Sequence, residues 1–145
     1  MTESTGKFGV HLMLDGYGAD PDRLRDRARL IGLLDTLPAL LGMHPIAPAQ
    51  VVEVGPNNLK DPGGLSGFVM IAESHISFHT FPARGFVTID LYTCRDSLDR
   101  TRVVGLLSEA FAIASVDVFV QERGLRYPMA DLPVLERTAS AYVPG

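Results

Sequence analysis

The sequence predicts an α+β fold, a two-layer sandwich of a mainly antiparallel sheet with two helices on one face. Two helical segments interrupt a larger number of strand segments, and a tight connection at residues 82–85 folds two strands into a hairpin. The chain has 145 residues, 46% of them hydrophobic, which is enough for the core of one domain. We therefore expect a single domain over residues 1–145.

The first strand and the first helix lie in the N-terminal third of the chain. Residues 7–15 have strand character and end at a Gly-Tyr-Gly turn. Asp20 is placed to cap a helix, with Pro21 at its first position. Apolar residues then recur at helical spacing, at Leu24, Ala28, Ile31 and Leu34. We expect Pro38 to kink or end this helix, with Gly42 as its C-terminal cap.

The middle of the chain consists of loops and strands. Residues 44–48 contain two prolines and form a loop, and residues 50–54 form a short strand. Residues 55–64 are rich in turn-forming residues and make the longest loop, which can shape a pocket if it lies beside a site. The apolar run at residues 65–72 is a buried strand.

The C-terminal part of the chain contains another strand, a helix and a final strand. Residues 86–94 form the strand that follows the tight connection, and Ser97 is placed to cap the helix. One face of this helix is apolar, with Val103, Leu107, Ala110, Phe111 and Ala114. Residues 116–121 form the last strand, and residues 124–145 are a tail without clear periodicity.

Residues 72–81 combine a strand pattern with reactive side chains. Read with a period of two, one face carries His75, Ser77, His79 and Phe81, and the other carries Ile76, Phe78 and Thr80. A strand with one apolar face and one reactive face is a candidate site on a sheet.

A hairpin centred between Ala83 and Arg84 sets the pairing of the two strands beside it. Paired positions then sum to about 167, which pairs His79 with Thr88, Ser77 with Asp90, and His75 with Tyr92. The same register places Cys94 opposite Glu73 and next to Ser74. This position argues against an inert core cysteine.

Three chemistries can be weighed for these residues. A metal site is disfavoured because His75 and His79 stand roughly 13 Å apart along a strand. A Ser-His-Asp hydrolase has the right residue types but lacks the Gly-x-Ser-x-Gly turn. In the third chemistry, Ser74 attacks the carbonyl of Glu73 from a strained turn, and the resulting ester eliminates to leave a pyruvoyl group. Such self-processing needs a nearby acid–base partner and donors for the oxyanion.

The composition argues against several classes of partner. A net charge of −4 offers no electrostatic reason to expect nucleic acid or an anionic membrane. No apolar run approaches the ~20 residues of a membrane span, and residues 1–9 lack a signal core. The single cysteine permits neither an intramolecular disulfide nor a thiolate zinc cluster. We expect a cytoplasmic protein.

The chain closely resembles the prokaryotic S-adenosylmethionine decarboxylase family over roughly residues 8–122. The resemblance is strongest in three motifs: Gly64-Leu65-Ser66-Gly67, the run from Ala72 to Thr80, and Asp90-Leu91-Tyr92-Thr93-Cys94. The segment from His11 to Asp15, followed by Tyr17-Gly18, looks like the opening strand of the family. Serine, histidine and cysteine all recur at the spacing of the family.

The resemblance implies that the chain is a self-cleaving proenzyme. Cleavage would fall between Glu73 and Ser74, giving a β chain of residues 1–73 and an α chain of residues 74–145. Ser74 would become a covalently bound pyruvoyl group. That group would form a Schiff base with the amine of a small-molecule substrate and act as an electron sink.

Three other residues match functional positions of the family. Ser66 and His79 match processing residues, and His79 would accept the Cα proton during the elimination. Cys94 matches the residue that protonates the substrate carbon after carbon dioxide leaves. Prokaryotic members build their sites at a homodimer interface, so the resemblance also implies a homodimer.

Two positions depart from the family pattern. The family reads His-Thr-Trp-Pro-Glu, and its glutamate binds the ribose hydroxyls of the nucleoside. This chain reads His79-Thr80-Phe81-Pro82-Ala83 and lacks that carboxylate. The aromatic residue that stacks on adenine is also missing, because its position falls near Lys60 and residues 50–67 contain no aromatic side chain. Together these losses should cost several kcal/mol of nucleoside binding.

We therefore expect a decarboxylase of polyamine biosynthesis that acts on a basic amino acid, L-ornithine or L-arginine. The substrate side chain would need a buried carboxylate, for which the candidates are Asp15, Glu53, Asp61 and Asp90. One alternative keeps S-adenosylmethionine as the substrate, with other residues replacing the missing contacts. Another is a non-catalytic homologue that regulates an active partner, which the intact serine, histidine and cysteine disfavour.

Overall fold

The computed structural model, which describes residues 6–57 and 60–128, contains a six-stranded sheet. Its strands are β1 (Gly9–Tyr17), β2 (Gln50–Val54), β3 (Gly64–Ile71), β4 (Ser74–Phe81), β5 (Phe86–Thr93) and β6 (Ser115–Arg123). They lie in the order β2-β3-β4-β5-β1-β6, and each neighbouring pair is antiparallel. The predicted α+β fold with a mainly antiparallel sheet is confirmed. Most of the predicted tail, residues 129–145, lies outside the described part.

The described residues form three α-helices, one more than predicted: α1 (Pro21–Leu24), α2 (Arg27–Leu40) and α3 (Arg100–Phe111). The prediction of one continuous helix from Asp20 was wrong because the first helix ends at Leu24 and a second helix begins after Asp26. The Asp26 carboxylate accepts a hydrogen bond from the Arg29 N–H (3.1 Å) and caps α2. Asp99, and not the predicted Ser97, caps α3 in the same way. None of these helices is long and apolar enough to cross a membrane.

The end of α2 follows the sequence prediction in part. Pro38 lies inside the last turn, and the helix continues to Leu40. The Pro38 ring is buried, so its apolar contacts offset the hydrogen bond that its missing N–H would have made. Gly42 follows the helix with φ of 70°, the left-handed conformation that glycine adopts most readily, and its N–H binds the Ala39 carbonyl (3.0 Å).

The core lies between the sheet and the helices. Alternate strand residues and one side of each long helix form a single buried cluster, which includes Leu12, Leu14, Ile76, Phe78, Ile89, Leu91, Leu30, Leu34, Leu37, Val103, Leu107 and Phe111. Because both helices join the same strand face, they lie on one side of the sheet, as predicted. Burial of each large apolar side chain contributes about 1.5–3 kcal/mol.

The opposite side of the sheet is its open face, which no described helix covers. It carries the polar residues of β4 and β5 and several large apolar side chains, namely Val52, Phe68, Met70 and Phe119. These four side chains are 41–56% exposed, whereas the apolar core residues are at most 6% exposed. A two-layer fold buries one face of the sheet under helices and leaves the other face available to pack against a further layer.

Candidate active site

Ser74 begins β4 immediately after the two-residue turn formed by Ala72 and Glu73. Its φ angle is 148°, a conformation that favours glycine, and only one other described non-glycine residue, Ala112, has positive φ. Such a conformation costs on the order of 1–3 kcal/mol and persists only where the surrounding structure enforces it. The peptide bond before Ser74 is therefore held in a strained turn, as the sequence predicted.

Cys94 lies directly beside this turn. The register of β4 and β5 agrees with the predicted hairpin, from the pair Ser74 and Thr93 to the pair Phe81 and Phe86. The Cys94 N–H donates a hydrogen bond to the carbonyl oxygen of Glu73 (2.8 Å). A backbone donor on this oxygen would stabilise negative charge that develops there when the carbonyl carbon is attacked. Cys94 itself is exposed, so its thiol is open to a substrate.

Ser66 and His79 form a second pair of predicted site residues. They face each other across β3 and β4, and Ser66 Oγ lies 2.8 Å from His79 Nδ1. A cavity of about 60 Å³ adjoins them and is also lined by Asp61. In the same row of the open face, His79 is paired with Thr88, which in turn is paired with Asp15. A hydroxyl and an imidazole in contact can exchange a proton.

The two pairs do not meet within one chain. Ser74 and His79 are five residues apart on β4, which corresponds to roughly 16 Å at about 3.3 Å per residue. His79 therefore cannot accept the Cα proton of Ser74 in the same chain. The five-residue spacing is visible in the sequence and is the signal from which this separation could have been derived.

Glu73 makes a contact that the sequence did not indicate. Its carboxylate lies 2.7 Å from Nδ1 of His44, a residue that was predicted only as part of a loop. Burial raises the pKa of Glu73, but the hydrogen bonds from His44 and from the Glu73 backbone act together in the other direction, and the pKa of this carboxyl is held below its usual value. Glu73 is therefore ionised at neutral pH.

A cavity of about 480 Å³ lies at the turn where the sequence departs from the family pattern. It is lined by Ala83 and Glu53, together with Arg25 and Arg27. Glu53, one of the four predicted carboxylate candidates, thus lines the same cavity as Ala83, the position at which the family has its glutamate. The cavity carries one acidic and two basic side chains.

A cluster of polar rings occupies the centre of the open face. His11 Nε2 lies 2.9 Å from an oxygen of Asp90, another of the predicted carboxylates. The Tyr92 ring lies 5.7 Å from the His75 ring. The Arg123 guanidinium carbon lies 4.7 Å from the centre of the Tyr92 ring. Asp90 is therefore paired already. The described residues contain no group of three or more His, Cys, Asp or Glu side chains that could hold a metal ion.

His75 should make the stability of the protein depend on pH. Burial lowers the pKa of His75, and among its charged neighbours His11 and Arg123 lower it further while Asp90 raises it. Because unfolded His75 binds a proton more readily than folded His75, stability should fall as pH drops below about 6.5. We expect the thermal midpoint of the wild type to decrease when the pH is lowered from 7.5 to 5.5. The thermal midpoint of His75→Gln should decrease less over the same range. An equal fall in both proteins would contradict this assignment.

Comparisons with known proteins agree with the fold and with these motifs. The sequence profile of the S-adenosylmethionine decarboxylase family matches residues 10–124. The S-adenosylmethionine decarboxylase proenzyme of Pyrobaculum islandicum is 35% identical over 117 residues, which cover 81% of this chain and 89% of the relative. The proenzyme of Aquifex aeolicus is 33% identical over 119 residues, which cover 81% and 82%.

A solved structure is also similar. The crystal structure of the adenosylmethionine decarboxylase from Aquifex aeolicus superposes with a TM-score of 0.68 at 30% identity. The match covers 81% of this chain and 92% of the solved chain. The similarity thus extends over nearly the whole length of the relatives. This chain belongs to the S-adenosylmethionine decarboxylase family.

Proposed function

We propose that this chain is a proenzyme that cleaves itself between Glu73 and Ser74 and becomes a pyruvoyl-dependent decarboxylase. The observation that carries the proposal is the strained Ser74, with φ of 148°, next to a carbonyl that already accepts a hydrogen bond from the Cys94 N–H. A serine in such a turn is positioned to attack the preceding carbonyl. These residues therefore suit a pyruvoyl precursor.

Cleavage proceeds in steps that the residues of this chain can support. The Ser74 hydroxyl adds to the Glu73 carbonyl carbon, the C–N bond breaks, and an ester with a free amine at residue 74 results. A base removes the Cα proton of residue 74, the Cβ–Oγ bond of the former serine breaks, and the main-chain carboxylate of Glu73 leaves as the new C-terminus. Addition of water and loss of ammonia from the dehydroalanine leave the pyruvoyl group. The Cys94 N–H stabilises the oxyanion of the first step.

Cys94 has a second role in the mature enzyme. The pyruvoyl group supplies a carbonyl that condenses with an amine and withdraws electrons as carbon dioxide leaves. Cys94 is exposed, and its backbone N–H is bonded to the residue before Ser74. Its thiol can therefore donate a proton to the carbon that loses carbon dioxide.

A second copy of the chain supplies the missing base. Ser66 and His79 are paired with each other but lie roughly 16 Å from Ser74 of their own chain. In a homodimer formed through the open face, His79 of one subunit can approach Ser74 of the other. The exposed Phe68 and Phe119 on that face support this arrangement, because association would bury them.

The substrate is an amino acid with a basic side chain, L-ornithine or L-arginine. Ala83 offers no carboxylate for ribose hydroxyls, and position 60 offers no ring for adenine. Glu53 lines the same cavity as Ala83, and its carboxylate can pair with an ammonium or guanidinium group. We place the enzyme in the cytoplasm, where an unpaired thiol such as that of Cys94 stays reduced.

S-adenosylmethionine is the second candidate substrate. The relatives from Pyrobaculum islandicum and Aquifex aeolicus are named S-adenosylmethionine decarboxylase proenzymes, which favours this compound. A non-catalytic regulatory role is the third reading, and the retained Ser74, His79 and Cys94 argue against it.

The substrate proposal is tested by identifying the amine that the cleaved protein releases from arginine, ornithine or S-adenosylmethionine. We expect one basic amino acid to be turned over with the highest kcat/KM. Turnover of S-adenosylmethionine alone would contradict the proposal. Ala83→Glu should raise kcat/KM for S-adenosylmethionine by about 10-fold, because a charged hydrogen bond contributes on the order of 1.5–3 kcal/mol. Ala83→Gln is the matched control, since it adds similar volume without the charge.

A further inference from the structure

We propose that His44 is a positioning residue for self-cleavage, which holds the Glu73 side chain and thereby keeps the peptide before Ser74 strained. The inference rests on the proposed cleavage between Glu73 and Ser74. It assigns a role in the formation of the enzyme to a residue in the connection between α2 and β2.

His44 binds both oxygens of the Glu73 carboxylate. Its backbone N–H donates to Oε1 (3.1 Å), and its ring Nδ1 lies 2.7 Å from Oε2. An ionised carboxylate can only accept hydrogen bonds, so Nδ1 carries the proton in this contact. The Glu73 side chain is 12% exposed, whereas the His44 side chain is 66% exposed. The carboxylate is thus held in a fixed position by a residue that is itself open to solvent.

The backbone around His44 is anchored to the end of β3. The Ala72 N–H donates to the His44 carbonyl (2.7 Å), and the Ile46 N–H donates to the Met70 carbonyl (3.0 Å). Pro45 forms an antiparallel bridge with Ile71 between these two bonds. Residues 44–46 therefore run as a short added strand beside residues 70–72, and His44 cannot shift without breaking this pairing.

The cleavage turn is also held from its other side. The Cys94 N–H binds the Glu73 carbonyl (2.8 Å), and the guanidinium group of Arg95 donates to the carbonyl of Gly42. Glu73 is therefore fixed twice, at its side chain by His44 and at its carbonyl by Cys94. The connection that carries His44 is in turn tied to the strand end that carries Cys94.

Two fixed points on Glu73 explain how Ser74 can keep its unfavourable φ angle. A strained residue relaxes unless its neighbours are held, and the turn before Ser74 contains only Ala72 and Glu73. If the His44 ring is removed, the Glu73 carboxylate keeps only the bond from the His44 backbone N–H. The turn can then relax away from the geometry in which the Ser74 hydroxyl approaches the carbonyl carbon. A reacting pair held less closely reacts more slowly.

If the contact between His44 and Glu73 were only a surface ion pair, removing it would have different effects from those of a positioning contact. Exposed pairs contribute little to stability, and His44 is mostly exposed, so a merely structural contact predicts small effects on both stability and cleavage. Positioning predicts a large effect on the cleavage rate with a small effect on the thermal midpoint. The two measurements together therefore distinguish the roles.

The test follows cleavage of the full-length chain after a short pulse of cell-free synthesis, by the fraction that remains at 145 residues. We expect His44→Ala to cleave about 10-fold more slowly than the wild type. His44→Asn keeps a nitrogen donor near the position of Nδ1 and should restore most of the rate. Thr36→Ala removes an exposed hydrogen bond on α2 and is the matched control, with an unchanged rate.

Two failures have separate meanings. A wild-type chain that never splits would overturn the proposed function itself. A wild-type chain that splits, together with His44→Ala splitting at the same rate, would overturn only the role of His44. The role would also fall if His44→Ala lowered the thermal midpoint strongly, or if His44→Asn were cleaved as slowly as His44→Ala. Once fully cleaved, His44→Ala should show the kcat of the wild type, because His44 acts before turnover begins.

Discussion

The Ser74→Ala protein is expected to remain a single chain of 145 residues, whereas the wild type should separate into fragments of 73 and 72 residues. The variant lacks the hydroxyl that attacks the Glu73 carbonyl, and the attacking oxygen cannot be supplied by a methyl group. Because the cofactor would be made from this residue, decarboxylation should be abolished together with cleavage. Intact-mass measurement under denaturing conditions gives the first result, and release of carbon dioxide gives the second.

Ser77→Ala is the matched control for this experiment. Ser77 lies on the same strand, three residues further on, and is paired with Asp90 rather than placed at the turn. This variant should still separate into the same two fragments. If Ser74→Ala were cleaved as fast as the wild type, another residue would start the reaction, and the proposed chemistry at the turn would be wrong.

Co-expression of two variants that do not cleave alone should restore cleavage if the site is shared between subunits. Ser74→Ala lacks the residue that is cleaved, and His79→Ala lacks the base that completes the elimination. In a mixed dimer, one site combines Ser74 of the His79→Ala chain with His79 of the Ser74→Ala chain. Random pairing of equal amounts places about half of the His79→Ala chains in such dimers, so about half of them should be cleaved.

The readout is the mass of the His79→Ala chain after co-expression with a tagged Ser74→Ala chain. Measurement at mildly acidic pH keeps any ester precursor at the mass of the uncleaved chain. Co-expression with the double variant Ser74→Ala/His79→Ala is the control and should leave the His79→Ala chain whole. Cleavage of the His79→Ala chain when expressed alone would contradict the role of His79. No cleavage in the mixture would contradict the shared site.

Local rules were sufficient for the hairpin that carries most of the site. The alternation along residues 74–81 separated the apolar face from the reactive face, and the short connection at Pro82–Arg84 determined the register. The position of Cys94 opposite Glu73 followed from that register and was confirmed by the hydrogen bond between their backbones. These features depend on residues close in sequence, where a turn and a period of two leave few alternatives.

Local rules were insufficient where several residues compete for one role. Asp20 and Asp26 are both good helix caps, and the sequence did not show that the chain would use both and break the first helix between them. Ser97 and Asp99 compete in the same way at α3. In each case packing of the helix onto the core selects the cap, because the buried face must meet the sheet.

The sequence by itself determined the fold class, the reactive strand and the pairing of Glu73 with Cys94, because each depends on periodicity and on short turns. Only the tertiary structure decided that His44 reaches Glu73, since the two residues are 29 positions apart and are joined by contacts that no local pattern encodes. It also brought Ser66 Oγ within 2.8 Å of His79 Nδ1, a contact between two different strands. The physical reason is that contacts between distant segments arise from the packing of whole elements, which periodicity describes only one element at a time.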